Sequence, residues 1–141
     1  MNKHFTWLPV LTLLGSVLSS PVKEAGKAPM INKSISFAVY KGDAYTSKIY
    51  DNTFAQVKIV VEKVNKKGIS IVWDTVFNSI LRNYVSMEKA QYKTVMIPIN
   101  GCTEHLQVKY TLTYNSKGNQ LQMEYKAAAS NTGDTKLDIN I

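Results

Sequence analysis

The sequence predicts a mainly β protein: an antiparallel two-layer β-sandwich of about seven strands, with one short helix or helical turn near residues 78–89. Three observations predict it. Apolar and polar residues alternate along most of the chain. Two Asn-x-Lys-Gly segments, Asn65–Gly68 and Asn115–Gly118, each join a pair of alternating runs. Helical spacing is confined to one short stretch, so helices do not separate the strands as they do in parallel α/β folds.

The elements follow in order. Ile35, Phe37 and Val39 alternate with Ser34, Ser36 and Ala38, which is the pattern of a half-buried strand. Gly42-Asp43 breaks it, and Tyr45 to Tyr50 reads as a short second strand ended by Asp51-Asn52. Ala55, Val57, Ile59 and Val61 then share one face. Ile69, Ile71, Trp73, Thr75 and Phe77 continue at the same period, with Ser70 and Asp74 facing the other way. Glycine at the end of each Asn-x-Lys-Gly segment suits a type I turn followed by a left-handed residue. Between Phe77 and Ala90 the pattern changes. Ile80, Leu81, Tyr84 and Val85 recur at helical spacing, Asn78 or Ser79 is placed to cap, and Glu88-Lys89 end the run. Strands are expected again at Thr94 to Ile99, on both sides of the second hairpin from Leu106 to Ala127, and at Leu137 to Ile141. A small barrel is the alternative closure of the same strands.

The N-terminus carries a different signal. Lys3 precedes an apolar run from Phe5 to Leu18, and Val17 and Ser19 suit the −3 and −1 positions of a cleavage site. Residues 1–19 therefore read as a secretory signal peptide, with an uncleaved anchor as the rival. Pro9 and the shortness of the run argue against a membrane span, and no later segment is long and apolar enough for one. Residues 20–33, with Pro21, Gly26 and Pro29 among lysines, read as a flexible lead-in, and residues 34–141 as the β-sandwich domain. The expected location is periplasmic or extracellular.

The strand pattern from Ser34 to Ile141, the two Asn-x-Lys-Gly hairpins and the export signal together resemble small exported β-sandwich proteins of the transthyretin-like (prealbumin-like) and immunoglobulin-like kinds. The paired cysteines of antibody domains are missing, because Cys102 is alone. The resemblance implies a fold class and brings no site residues with it.

Composition narrows the chemistry. The net charge is +7, and losing Lys3 with the signal leaves about +6. Arg82 is the only arginine. Specific readers of nucleic acid lean on arginine's bidentate fork, so a lysine-dominated surface argues against that class. One cysteine allows no intrachain disulfide, and burial is the usual fate of such a residue. After cleavage His105 is the sole histidine, so Cys102 and His105 exhaust the supply of soft metal ligands. A thiol–imidazole pair across the Cys102–His105 turn, with an orienting third group, would be needed for nucleophilic catalysis, but nothing resembling a cysteine-hydrolase signature surrounds it. No carboxylate pair, glycine-rich phosphate loop or calcium loop stands out. The expectation is no catalytic set, no metal and no cofactor.

Aromatics are the remaining handle. Tyr110, Tyr114 and Tyr125 share faces with aliphatic residues and read as core or near-core packing. Tyr40, Tyr45 and Tyr50 fall near breaks in the strand pattern and form the candidate interaction surface. The sequence thus points to a non-enzymatic binding or interaction module outside the cytoplasm, with a protein or glycan partner. Lys136 to Ile141 is a candidate edge strand for such contacts. A self-assembling structural subunit is the second reading, and a small enzyme using Cys102 and His105 the third. Oligomeric state is open.

Overall fold

The computed structural model describes residues 29–43, 45, 47–130 and 133–141. The expected signal segment at 1–19 and the lead-in up to residue 28 lie outside the described residues. Seven strands are present: β1 Met30–Tyr40, β2 Phe54–Asn65, β3 Gly68–Ile80, β4 Gln91–Asn100, β5 His105–Ser116, β6 Asn119–Ala128 and β7 Thr135–Asn140. They form a three-stranded sheet in the order β4-β1-β7 and a four-stranded sheet in the order β3-β2-β5-β6. Every pairing is antiparallel except β1–β7, which is parallel. The mainly β, two-sheet architecture is the one predicted.

Alternation explains the core. Ile35, Phe37 and Val39 point from β1 toward Ala55, Val57, Ile59 and Val61 of β2, and all seven are fully buried. Each large aliphatic or aromatic side chain so buried contributes about 1.5–3 kcal/mol. Phe37 also stacks on Trp73 of β3, with ring centroids 5.4 Å apart, which links the two sheets.

Four expectations need correction. β1 starts at Met30, so residues 30–33, assigned by sequence to the lead-in, are strand. No strand occurs among the described residues of Tyr45 to Tyr50. Lys48–Tyr50 is a single 3-10 turn, and Asp51 N–H and Thr53 N–H bond to the carbonyls of Lys48 and Tyr50. The helical turn expected near 78–89 is present, as two single 3-10 turns, Leu81–Asn83 and Met87–Lys89; only the alternative of a short helix falls, since no α-helix occurs among the described residues. Neither Asn78 nor Ser79 caps a turn, because β3 runs on to Ile80. The spacing has a simple cause: a 3-10 turn places residues i and i+3 on one side, and Leu81 and Tyr84 are the two that are buried.

The fourth correction concerns β3. Trp73 pairs with Val61 but Ile71 pairs with Glu62, so Val72 is an extra residue at a β-bulge. The bulge turns Ile69 and Ile71 away from the face shared by Trp73, Thr75 and Phe77. Ile69 and Ile71 are 61 % and 65 % exposed. Beside them on that outer face Glu62 is buried, accepting bonds from Lys109 Nζ at 2.7 Å and Gln107 Nε2 at 3.0 Å.

The two hairpins differ in detail. Asn65 Oδ1 accepts a bond from the Lys67 amide, and Gly68 has positive φ, as the first turn requires. In the second, Lys117 and Gly118 both have positive φ (51° and 82°) between the paired Ser116 and Asn119. That is the two-residue hairpin whose twist matches its strands, rather than a type I turn with one left-handed residue.

Candidate functional site

The two sheets are unequal, and the inequality makes a hollow. Directly paired residues share a face, so Leu121, Met123 and Tyr125 of β6 stand beside Tyr114, Leu112 and Tyr110 of β5 on the side facing the core. The smaller sheet covers β5 closely, leaving Leu112 and Val108 buried, but it leaves Leu121 58 % and Tyr125 40 % exposed on β6. The segment linking β1 to β2 closes one end of this uncovered strip. Lys41 N–H bonds to Val85 O at 2.8 Å, and Gly42 N–H to Ile141 O at 3.4 Å. Thr53, itself buried, receives the Leu81 amide on its carbonyl at 2.7 Å. Leu81 is thereby fixed beneath the linking segment.

The result is a hollow of about 390 Å³. Tyr45, Tyr50 and Thr53 line it from the linking segment, Leu81 from the turn after β3, and Tyr114, Ser116, Leu121 and Met123 from the β5–β6 hairpin. Its size is that of a small-ligand site. Tyr45 and Tyr50 meet edge to face with centroids 5.1 Å apart. No charged side chain is among the described lining residues.

Burial governs the phenols here. It raises the Tyr114 hydroxyl far above the ordinary tyrosine value, and a hydrogen bond with Tyr45 adds to the effect. Tyr84, below Leu81, is pushed up to about 12 by burial and donates its hydroxyl to Ala55 O at 3.0 Å. Tyr110 is raised for the same reason, with Tyr125 stacked on it at 4.8 Å. Such surroundings solvate an anion poorly and favour uncharged groups.

Of the three tyrosines singled out in the sequence, Tyr45 and Tyr50 come together in the hollow. Tyr40 does not join them: it ends β1 opposite Asn140, on the same side as Ser36 and Ala38. Sequence reading missed Leu81, Thr53, Ser116, Leu121 and Met123 as lining residues and gave Tyr114 a packing role alone. The usable signal was the apolar face of β6, which holds Leu121, Met123 and Tyr125 at period two.

The Cys102–His105 turn has a different character. Cys102 is exposed, against the expectation of burial. It rides on a turn clamped by backbone bonds from Thr103 and Glu104 to Asn100 O, and its own amide bonds to Asn100 Oδ1. Such a tip has no layer above it. Glu104 is held below the usual carboxylate range by the Asn100 amide, 2.8 Å away, and then by Lys63 at 3.4 Å. Its carboxylate is a staple for the turn. His105 is exposed at the start of β5, on the polar side with Gln107 and Lys109 as its alternation predicts. No hydrogen bond joins Cys102 to His105, and no group of three His, Cys, Asp or Glu side chains is placed to hold a metal ion among the described residues. No helix among them is long and apolar enough to cross a membrane.

Compared with known protein families, with characterised proteins and with solved structures, the chain matches none of them.

Proposed function

We propose that this protein is an exported, non-enzymatic binding module that holds a small, uncharged, mainly apolar molecule in the Tyr45–Tyr50–Tyr114 hollow. The observation that carries the reading is the hollow itself. It is an aromatic and aliphatic cavity with three phenols and two aliphatic hydroxyls and without a charged lining residue among those described. A few polar groups on an apolar wall set the orientation of a ligand without supplying acid, base or nucleophile. Export is supported by the signal-like residues 1–19.

The experiment is a binding screen by tyrosine fluorescence and thermal shift with neutral phenols, alcohols and alkyl compounds. Saturable binding is expected in the wild type. Leu121→Glu places a carboxylate at the hollow's rim on a side chain already largely exposed, so the fold should survive and binding should fall at least tenfold. Equal affinity in that variant would overturn the reading.

A second reading, a self-assembling subunit, is favoured by one observation: Ile69, Ile71, Val72 and Val76 are all exposed on β3, an edge strand. β7 is likewise an edge strand, paired with β1 alone among the described strands. Light scattering over a wide concentration range decides it, since a constant monomer mass rejects assembly.

A further inference from the structure

The hollow is not closed at its far end. Beyond Met123 the core-facing side of β6 continues to Tyr125, whose ring lies nearly parallel to Tyr110 at 4.8 Å. Among the described residues no strand of the smaller sheet covers it, and Tyr125 is 40 % exposed. Leu121, Met123 and Tyr125 are spaced at period two, so they form a straight apolar strip about 13 Å long. We infer that this strip and the hollow together bind a single alkyl chain, so the ligand class is an uncharged amphiphile with a hydroxyl-bearing head. The inference rests on the proposed binding role of the hollow and specifies what enters it.

Charge and polarity select this occupant over others. The described residues of hollow and strip carry no charge, so a charged chain or head would lose its hydration without a partner. The strip also offers little to hydrogen bond. The hydroxyl of Tyr125 is turned to Met123 Sδ at 3.6 Å, and the backbone groups of β6 lie in the plane of the sheet rather than on this face. A peptide laid across this face would leave its amides unpaired and could pair them only by moving off the face to the open edge of β6, whereas an alkyl chain brings none. The hydroxyl of Tyr125 is engaged by Met123, whereas Tyr50, Thr53 and Ser116 bring hydroxyls to the hollow end, which is where a neutral head would sit. The strip is continuous with the hollow through Leu121 and Met123, which belong to both.

The test uses the full chain and a series of linear 1-alkanols from butanol to decanol, with a compact phenol, para-cresol, alongside. Affinity should rise roughly two- to fourfold per methylene, the range between half and full burial of each CH₂. Tyr125→Lys puts a cation at the end of the strip away from the hollow. It should leave butanol and para-cresol binding unchanged and abolish the gain for the longer alkanols. Tyr125→Leu, which keeps the strip apolar, should retain the gain and shows that a loss in the lysine variant is not a folding defect. Binding of para-cresol with no dependence on alkanol length overturns this inference and leaves the hollow's role standing. An undiminished gain in Tyr125→Lys also overturns it. Failure of every probe to bind overturns both.

Discussion

Replacing Tyr84 by phenylalanine separates two effects of one hydroxyl. The Tyr84 side chain is 5 % exposed, and its oxygen donates to Ala55 O at 3.0 Å beneath the hollow. At neutral pH the substitution removes a neutral buried hydrogen bond and leaves a carbonyl with one partner fewer, so Tyr84→Phe should cost about 1–2 kcal/mol. Alkaline pH reverses the comparison. Burial raises the folded-state value from 10.0 to about 12, so the neutral phenol is favoured in the folded protein. The associated stability is fully present below the unfolded value and is lost as pH rises through the folded one. Two pKa units correspond to roughly 2–3 kcal/mol at the alkaline limit. Phenylalanine has no proton to lose. Tyr110 and Tyr114 are raised chiefly by burial in both proteins, and the charge of Tyr84 is the smallest of the causes at Tyr114, so their losses largely cancel in the difference. Urea unfolding at intervals from about pH 8 to about pH 11.5, read by far-ultraviolet circular dichroism, gives that difference directly. The wild type should lead at the lower pH, and its advantage should shrink or invert at the higher. A constant advantage across the range would refute the assignment of Tyr84 as a buried hydrogen-bonded phenol.

Other expectations follow from the same structure. Lys109→Met leaves the buried Glu62 carboxylate with Gln107 alone and should cost about 2 kcal/mol in urea unfolding. The double variant Glu62→Leu/Lys109→Met should recover most of that loss, because no charge is left unpaired. Gly118→Ala should cost about 1 kcal/mol through backbone strain alone, since φ is 82° and nothing lies within 4 Å of the added Cβ. Cys102, exposed on its turn, should react stoichiometrically with a thiol reagent under native conditions without loss of the circular dichroism signal, and protection would contradict its placement.

What was legible in the sequence divides along a physical line. Period-two alternation at Ile35–Val39 and Ala55–Val61 is dictated by the pleat, and those residues are core. The Asn-x-Lys-Gly segments are hairpins because glycine there tolerates positive φ. Three features escaped because local pattern does not encode them. The bulge at Val72 flips Ile69 and Ile71 outward without interrupting their apolar spacing, so only the register against β2 reveals it. The Tyr45–Tyr50 stretch carries strand-like residues, but Lys48–Tyr50 folds as a turn, tied by backbone bonds and by Tyr45 and Tyr50 packing on the core. The hollow depends on the mismatch between a three-stranded and a four-stranded sheet. Nothing local to Leu121 or Met123 tells that no strand lies opposite them. Tyr45 and Tyr50 were visible as aromatic residues at a break in the pattern, whereas Leu81 and Thr53 reach the same place through a backbone bond between distant segments.

The most direct measurement is a methyl-detected NMR titration of the labelled protein with octanol. The methyl groups of Leu81, Leu121 and Met123 line the hollow from two sequence-distant segments and report on it together. Saturable shifts concentrated on those three are predicted. Shifts at the exposed Ile69 and Ile71 on the opposite face, or none that saturate, would contradict the assignment of the hollow as the binding site.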